Sequence, residues 1–277
     1  MPSLTIPFDY HSHHYRCGHA AGEIYEYIDA ALARGMVQFG ISDHGPAWFR
    51  EGDHPLPTVQ MARSQMPAYA AEARRFQAEY ADKIRVLVGV EADYTGEQDE
   101  ALAALLADEP FDYVLGSVHY VHRISVFSHA RWTTENPEET YAEYYRLVSR
   151  AARSGLFDIL SHLTVVEAYG PPLSDDLAAR LYTPVAEAVA ESGCIVEVNT
   201  SGYRKMGGDE PFPNRRMLRL LIAAGVPLTF GSDCHKPEEV GYGRERVAAL
   251  LQEMGVDIGN PRPIIVRRTP LLAFATL

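Results

Sequence analysis

Cysteine is scarce in this 277-residue chain: three occur, at Cys17, Cys194 and Cys234, an odd number that provides no disulfide framework. With no Cys-x-x-Cys there is nothing to support thiol-pair redox catalysis. Long apolar runs are missing too. No stretch approaches the ~20 residues of a membrane span, and the opening Met-Pro-Ser-Leu-Thr-Ile-Pro has neither the basic start nor the apolar segment of an export signal. A soluble protein of a reducing, cytoplasmic compartment is expected. Basic residues are few, 25 Lys and Arg against 37 Asp and Glu for a formal net charge of −12, which weighs against a nucleic-acid partner because nonspecific affinity comes from cations replacing counterions. The 21 Gly and 18 Pro are scattered, so disorder and fibrous repeats are excluded. What remains is ordinary globular material, 47% apolar and 22% charged, long enough for one large domain.

A helix-like stretch, a glycine and a short β-branched or aromatic run recur along the chain. Gly35 precedes 36–41, Gly155 precedes 156–160, Gly193 precedes 194–198 and Gly225 precedes 226–230. Glycine just past a helix supplies the left-handed position, and the run after it is then a strand. Further strands are predicted at Leu4–Tyr10, Ile84–Val90 and Tyr113–Ser117. Apolar residues at helical spacing (Ile24, Ile28, Ala31 and Leu32; Tyr141, Tyr144, Leu147, Val148 and Ala151) mark the intervening helices. Asn136-Pro137 and Ser174-Asp175-Asp176 are helix starts, and Pro184 predicts a kink or break in the second of these helices. Seven strand-then-helix units imply parallel pairing with right-handed crossovers, hence an α/β fold: a distorted (β/α)7 TIM-like barrel, one domain over 1–277. The irregular stretches Pro46–Thr58, His122–Glu135, Ala168–Leu173 and Arg204–Pro213 each follow a strand and are expected to form the mouth of a site.

Histidines gather at the predicted strand ends. The strands run successively into His11-Ser-His13 with His19 behind, Ser42-Asp43-His44, Glu91, His119, His162, Glu197-Val198-Asn199 and Asp233-Cys-His235. In a parallel barrel those ends share one rim. His-x-His and Asp-x-His place both side chains on one strand face. Singly, each motif is as well read as a polar turn or a core histidine; the convergence is what points to a metal site. Seven histidines with Glu91 and Asp233 give nine potential ligands, more than one four-coordinate ion uses, so more than one ion is expected. Mixed nitrogen and oxygen donors suit zinc, iron or manganese. His14, His54, His122 and His129 fall outside the pattern, and Cys17 and Cys234 are read as small packed side chains.

The set Asp-x-His-x-His…Cys-Gly-His, Ser-Asp-His, Gly-x-Glu, Gly-Ser-x-His, Ser-His and Gly-Ser-Asp-x-His resembles the PHP phosphoesterase superfamily. The runs 111–119 and 199–205 resemble, more narrowly, its histidinol-phosphate phosphatases. The resemblance implies three divalent metal ions: one on His11, His13, Glu91 and Asp233, a second on Glu91, His119 and His162, a third on His19, His44 and His235. It further implies hydrolysis of a phosphate monoester, with L-histidinol phosphate as substrate in histidine biosynthesis, by water activated between the cations. Glu91, Asp233 and Asp43 are the acidic residues expected to serve catalysis, Asp43 by orienting His44 or a neighbour. Arg204, and with weaker claim Lys205 and Arg16, are candidates to grip phosphate. One departure is Thr164, where an acidic residue is frequent in the family.

Three other readings compete. A nuclease or nucleotide phosphoesterase keeps fold and metals, but the negative charge and the lack of a basic, aromatic-interleaved groove count against it. An amidohydrolase-like enzyme would call for a strand-end lysine to bridge two metals, which the sequence lacks. A metal-binding module without activity predicts a degraded ligand set, whereas all nine positions are filled.

Overall fold

The computed structural model describes residues 5–53, 55, 59–205, 208–265 and 268–276. Seven parallel strands pair in chain order: β1 (Phe8–Asp9), β2 (Gln38–Ile41), β3 (Arg85–Asp93), β4 (Tyr113–Ser117), β5 (Ile159–Leu160), β6 (Ile195–Asn199) and β7 (Leu228–Gly231). The ends of the sheet meet. The Tyr10 N–H donates to the Phe230 carbonyl at 3.2 Å, and Ser12 bridges Cys234 in parallel, so the barrel is nearly closed. Nearly every strand residue is buried, as expected where helices cover the outer face and side chains fill the inner one.

Large rings fill the interior. The Tyr113 hydroxyl donates to the Tyr10 carbonyl at 2.7 Å, and the Tyr10 hydroxyl donates to Gln38 Oε1 at 2.6 Å. Space for the Tyr113 ring exists because two strand positions are Gly40 and Gly89, where a Cβ atom would overlap it.

Seven principal helices alternate with the strands: α1 (Ile24–Ala33), α2 (Met66–Glu79), α3 (Asp99–Ala107), α4 (Pro137–Ser154), α5 (Asp175–Ser192), α6 (Arg215–Ala223) and α7 (Arg244–Glu253). The predicted starts are real caps: the Asn136 side chain accepts from the Glu138 N–H, and Ser174 from the Leu177 N–H. Gly35, Gly155, Gly193 and Gly225 all take the left-handed conformation, with φ between 69° and 80°. The break at Pro184 is a correction, because α5 is continuous from Asp175 to Ser192. The proline lies on the exposed face, while Tyr182, Val185, Ala186 and Val189 hold the opposite face in the core.

Strand lengths also differ from expectation. β1 is shorter than Leu4–Tyr10, of which residue 4 lies outside the described residues, and β3 runs three residues past Val90, carrying Glu91 inside the strand. The expected loop 122–135 is partly ordered. A hairpin of Tyr120–Val121 and Ile124–Ser125 stands over the rim, pinned by the buried Arg131, which donates to the carbonyls of Ile124 and Val121 and pairs with Glu135 at 2.7 Å. A C-terminal hairpin, β8 (Arg262–Ile265) and β9 (Pro270–Ala273), has no counterpart in the sequence reading. It covers the other end of the barrel: Phe274 pairs with Leu228, and the Leu272 N–H donates to the Tyr10 hydroxyl at 2.9 Å. Among the described residues no helix is long and apolar enough to cross a membrane.

Candidate metal centre

The C-terminal strand ends bring all nine predicted residues together. Glu91 is the hub. Its Oε1 lies 3.0 Å from His162 Nε2 and 3.5 Å from both His119 Nε2 and His11 Nε2. Its Oε2 lies 2.6 Å from His44 Nδ1 and 3.7 Å from His13 Nε2. Asp233 Oδ1 sits 3.2 Å from His13 Nε2, 3.9 Å from His11 Nε2 and 3.7 Å from His235 Nδ1. His19 joins at the outside, its Nε2 2.8 Å from His235 Nε2. A cavity of 280 Å³ opens onto this cluster, with Phe127, Tyr120, Ser125 and Lys205 completing its wall.

Three carboxylates beneath the cluster fix the imidazoles. Asp43 faces His13 Nδ1 at 3.4 Å and His14 Nδ1 at 2.6 Å, and it accepts the His44 N–H at 2.9 Å. It thus lies within ion-pair distance of the His13 and His14 rings and holds the His44 backbone by a hydrogen bond. Asp93 faces His119 Nδ1 at 2.8 Å, and Glu197 faces His11 Nδ1 at 2.7 Å. A carboxylate on one ring nitrogen sets the tautomer and frees the other nitrogen toward a cation. The sequence reading missed Asp93 and Glu197 in this role, and passed over His14. A signal for Asp93 existed: Glu91-x-Asp93 has the same period-two spacing as His11-x-His13.

The donor set fits cations. His11 Nε2 and His13 Nε2 are buried without a hydrogen-bond partner. His119 Nε2 faces His162 Nε2 at 3.2 Å, so two electron pairs oppose each other unless a proton or cation lies between them. Four overlapping trios of donor atoms lie within 4.8 Å of one another: His13, His44 and His235; His11, Glu91 and His162; His11, His13 and Asp233; His44, Glu91 and His119. Electrostatics agree. Burial opposes ionisation of Glu91, yet His44, His11 and His119 outweigh it and hold the carboxyl well below its usual range; Lys205 and His11 do the same for Asp233. Burial, with His44 and His13 nearby, lowers His19 to about 4, and burial with His13 lowers His235 to about 2, leaving both neutral. Burial works against protonating His11, but Glu197 and Glu91 push its pKa up, so a cation arriving there displaces a proton.

The three basic candidates differ. Lys205 lines the cavity, its Nζ 3.6 Å from Asp233 Oδ2 and 5.0 Å from the Phe127 ring centre. Arg204 instead donates through Nη2 to the carbonyls of Ser232 and Asp233, at 3.1 and 2.8 Å, propping the turn in which Asp233 has a left-handed φ of 53°. Arg16 turns away to Glu72 at 2.5 Å and is not brought to the cavity. Cys17 and Cys234 are buried, and burial pushes the Cys17 thiol up to about 12, as expected of packed side chains. Thr164 accepts the Asn214 N–H at 3.0 Å. His122 and His129 are exposed; His54 lies outside the described residues.

Residues 9–201 match the family model described as PHP domain, and residues 211–251 match the one described as PHP-associated. A Deinococcus radiodurans protein named "Probable histidinol-phosphatase" is 35% identical over 93% of this chain and 95% of its own length. Bacillus subtilis "Histidinol-phosphatase" is 27% identical over 86% of this chain and 96% of its own length. Among solved structures, histidinol phosphate phosphatase from Lactococcus lactis, in complex with zinc, L-histidinol and phosphate, shares the fold with a TM-score of 0.76 at 21% identity, covering 90% of this chain and 94% of that one. With matching that extends over most of the barrel and a relative above 30% identity along almost its whole length, this chain belongs to the PHP domain family.

Proposed function

We propose that this protein is a metal-dependent phosphatase that converts L-histidinol phosphate and water into L-histidinol and phosphate, a step of histidine biosynthesis, with one catalytic unit formed by residues 1–277 acting in the cytoplasm. The observation that carries the reading is the cluster centred on Glu91, in which five imidazoles and two carboxylates line one cavity and the buried His11 and His13 pack against those carboxylates. Relatives named histidinol-phosphatase along nearly the full chain support the choice of substrate.

Three divalent ions, zinc, iron or manganese, are the proposed complement. His11, His13, Glu91 and Asp233 would hold one, Glu91, His119 and His162 a second, and His19, His44 and His235 a third. The chemistry such cations supply when bound is activation of water for in-line attack on phosphorus and neutralisation of charge on the phosphoryl oxygens. The chain's own residues do the rest. Asp43, Asp93 and Glu197 keep their imidazoles in register. Lys205 places an ammonium beside the phosphoryl position, and Arg204 serves the same end by holding Asp233 in its turn. Arg16, tied to Glu72, would reach phosphate only after leaving that pair.

Phosphate release from L-histidinol phosphate, compared with mononucleotides and single-stranded oligonucleotides, tests the proposal on metal-loaded protein. Preference for L-histidinol phosphate is expected; preference for an oligonucleotide overturns it in favour of a nuclease.

A further inference from the structure

A second, outer groove of 480 Å³ adjoins the metal cavity, and the two share His19, Phe127, Lys205, Asp233 and His235. Because the two cavities share a wall, the outer groove is open to the alcohol portion of a monoester whose phosphoryl group lies among the nine donors. The groove's chemistry therefore decides which alcohols are accepted. Its added wall residues are Tyr169, Arg204 and Glu239.

Their charges are not equally available. Arg204 gives both its hydrogen bonds through Nη2, to the carbonyls of Ser232 and Asp233, and its Nη1 is buried, while Lys205 Nζ lies 3.6 Å from Asp233 Oδ2. Glu239 accepts one hydrogen bond, from the His235 N–H to Oε2 at 3.1 Å. A carboxylate offers about four lone-pair sites on two oxygens, and no cationic side chain among the described residues pairs with this one. The opposite wall is aromatic. Phe127 and Tyr169 stand 6.2 Å apart at 74°, and His129 packs on Tyr169 at 4.6 Å, so a partly exposed ring face lines the groove.

We infer that Glu239 is a specificity-determining residue that takes an ammonium group on the leaving alcohol, while the Phe127–Tyr169 wall takes a flat ring attached to it. This rests on the phosphomonoesterase reading above and deepens it. The same carboxylate disfavours esters that carry further phosphates into the groove, which separates this substrate class from nucleoside polyphosphates and oligonucleotides.

The test compares wild type with Glu239→Gln, which keeps an acceptor for the His235 N–H. Two ester pairs are used: L-histidinol phosphate against its desamino counterpart, and phosphoethanolamine against ethyl phosphate. Wild type is expected to favour the ammonium-bearing member of each pair, and the variant to lose at least about tenfold of that preference, mainly in KM, with bound metal per chain unchanged. A preference absent from wild type or intact in Glu239→Gln overturns the inference. So does an equal fall for both members accompanied by metal loss, which assigns Glu239 to holding His235. If L-histidinol phosphate is inert while the phosphoethanolamine pair behaves as expected, the substrate proposed above is wrong and the role of Glu239 stands.

Discussion

Replacing Glu197 by Gln tests the idea that the carboxylates beneath the cluster make the metal site. Glu197 is 1% exposed; its Oε1 faces His11 Nδ1 at 2.7 Å, and its Oε2 accepts the His162 N–H at 3.1 Å and an Asn199 amide hydrogen at 2.9 Å. Glutamine preserves the shape but has one acceptor oxygen. Either His11 Nδ1 or the His162 N–H then meets an NH2 group, and the negative charge behind His11 is gone. Loss of such an orienting carboxylate costs about 10- to 100-fold in metal affinity or activity, roughly 1.4–2.7 kcal/mol. Because no cavity is created, the protein should stay folded, with a stability loss of about 1–3 kcal/mol for the unsatisfied buried group. Metal affinity by chelator competition, phosphate release against added metal and urea unfolding separate the two effects. Metal affinity and turnover both within about twofold of wild type would refute the reasoning.

Three further outcomes are expected. His13→Ala, Glu91→Ala and His235→Ala each abolish phosphate release while circular dichroism stays that of the folded protein, and prolonged chelation does the same to wild type; unchanged rates exclude the assigned site. Glu167 is half-buried and accepts hydrogen bonds from Tyr145, Tyr182 and Asn214, and desolvation of its carboxyl raises its pKa above the usual range. Its folded pKa exceeds its unfolded one, so stability is lost as pH rises from about 4.3 through the raised value; measured by urea midpoints, wild type should decline relative to Glu167→Gln over that window, and a flat difference rejects the assignment. Gly116→Ala places a methyl group against the Phe157 ring and should cost about 1–3 kcal/mol in urea unfolding, with the metal content unaltered.

The path of the chain could be read from local chemistry. Glycines after helices and caps such as Asn136 and Ser174 act through neighbouring residues, so sequence alone locates them. The nine donors were legible for a different reason: parallel strands share one polarity, and a strand-end residue is committed to the rim whatever its distance along the chain. The supporting carboxylates were harder to see. Glu197 serves His11 from 186 positions away, and only the closure of β1 onto β7, with β6 alongside, brings them together. The C-terminal hairpin escaped because its partners, Leu228, Thr229 and Tyr10, belong to strands already accounted for by the barrel. Arg204 shows what position alone leaves out: a cation after a strand was expected near phosphate, and beyond lining the outer groove it props two backbone carbonyls through Nη2.

That hairpin divides the labour of the molecule between its two poles. Among the described residues, the floor it seals, through Tyr10, Leu228 and Phe274, contains none of the nine donors. Engineers seeking a longer-lived catalyst can therefore recompose the floor and leave the rim's selectivity as they found it, and those seeking a new substrate can work at the rim on a foundation that stays put.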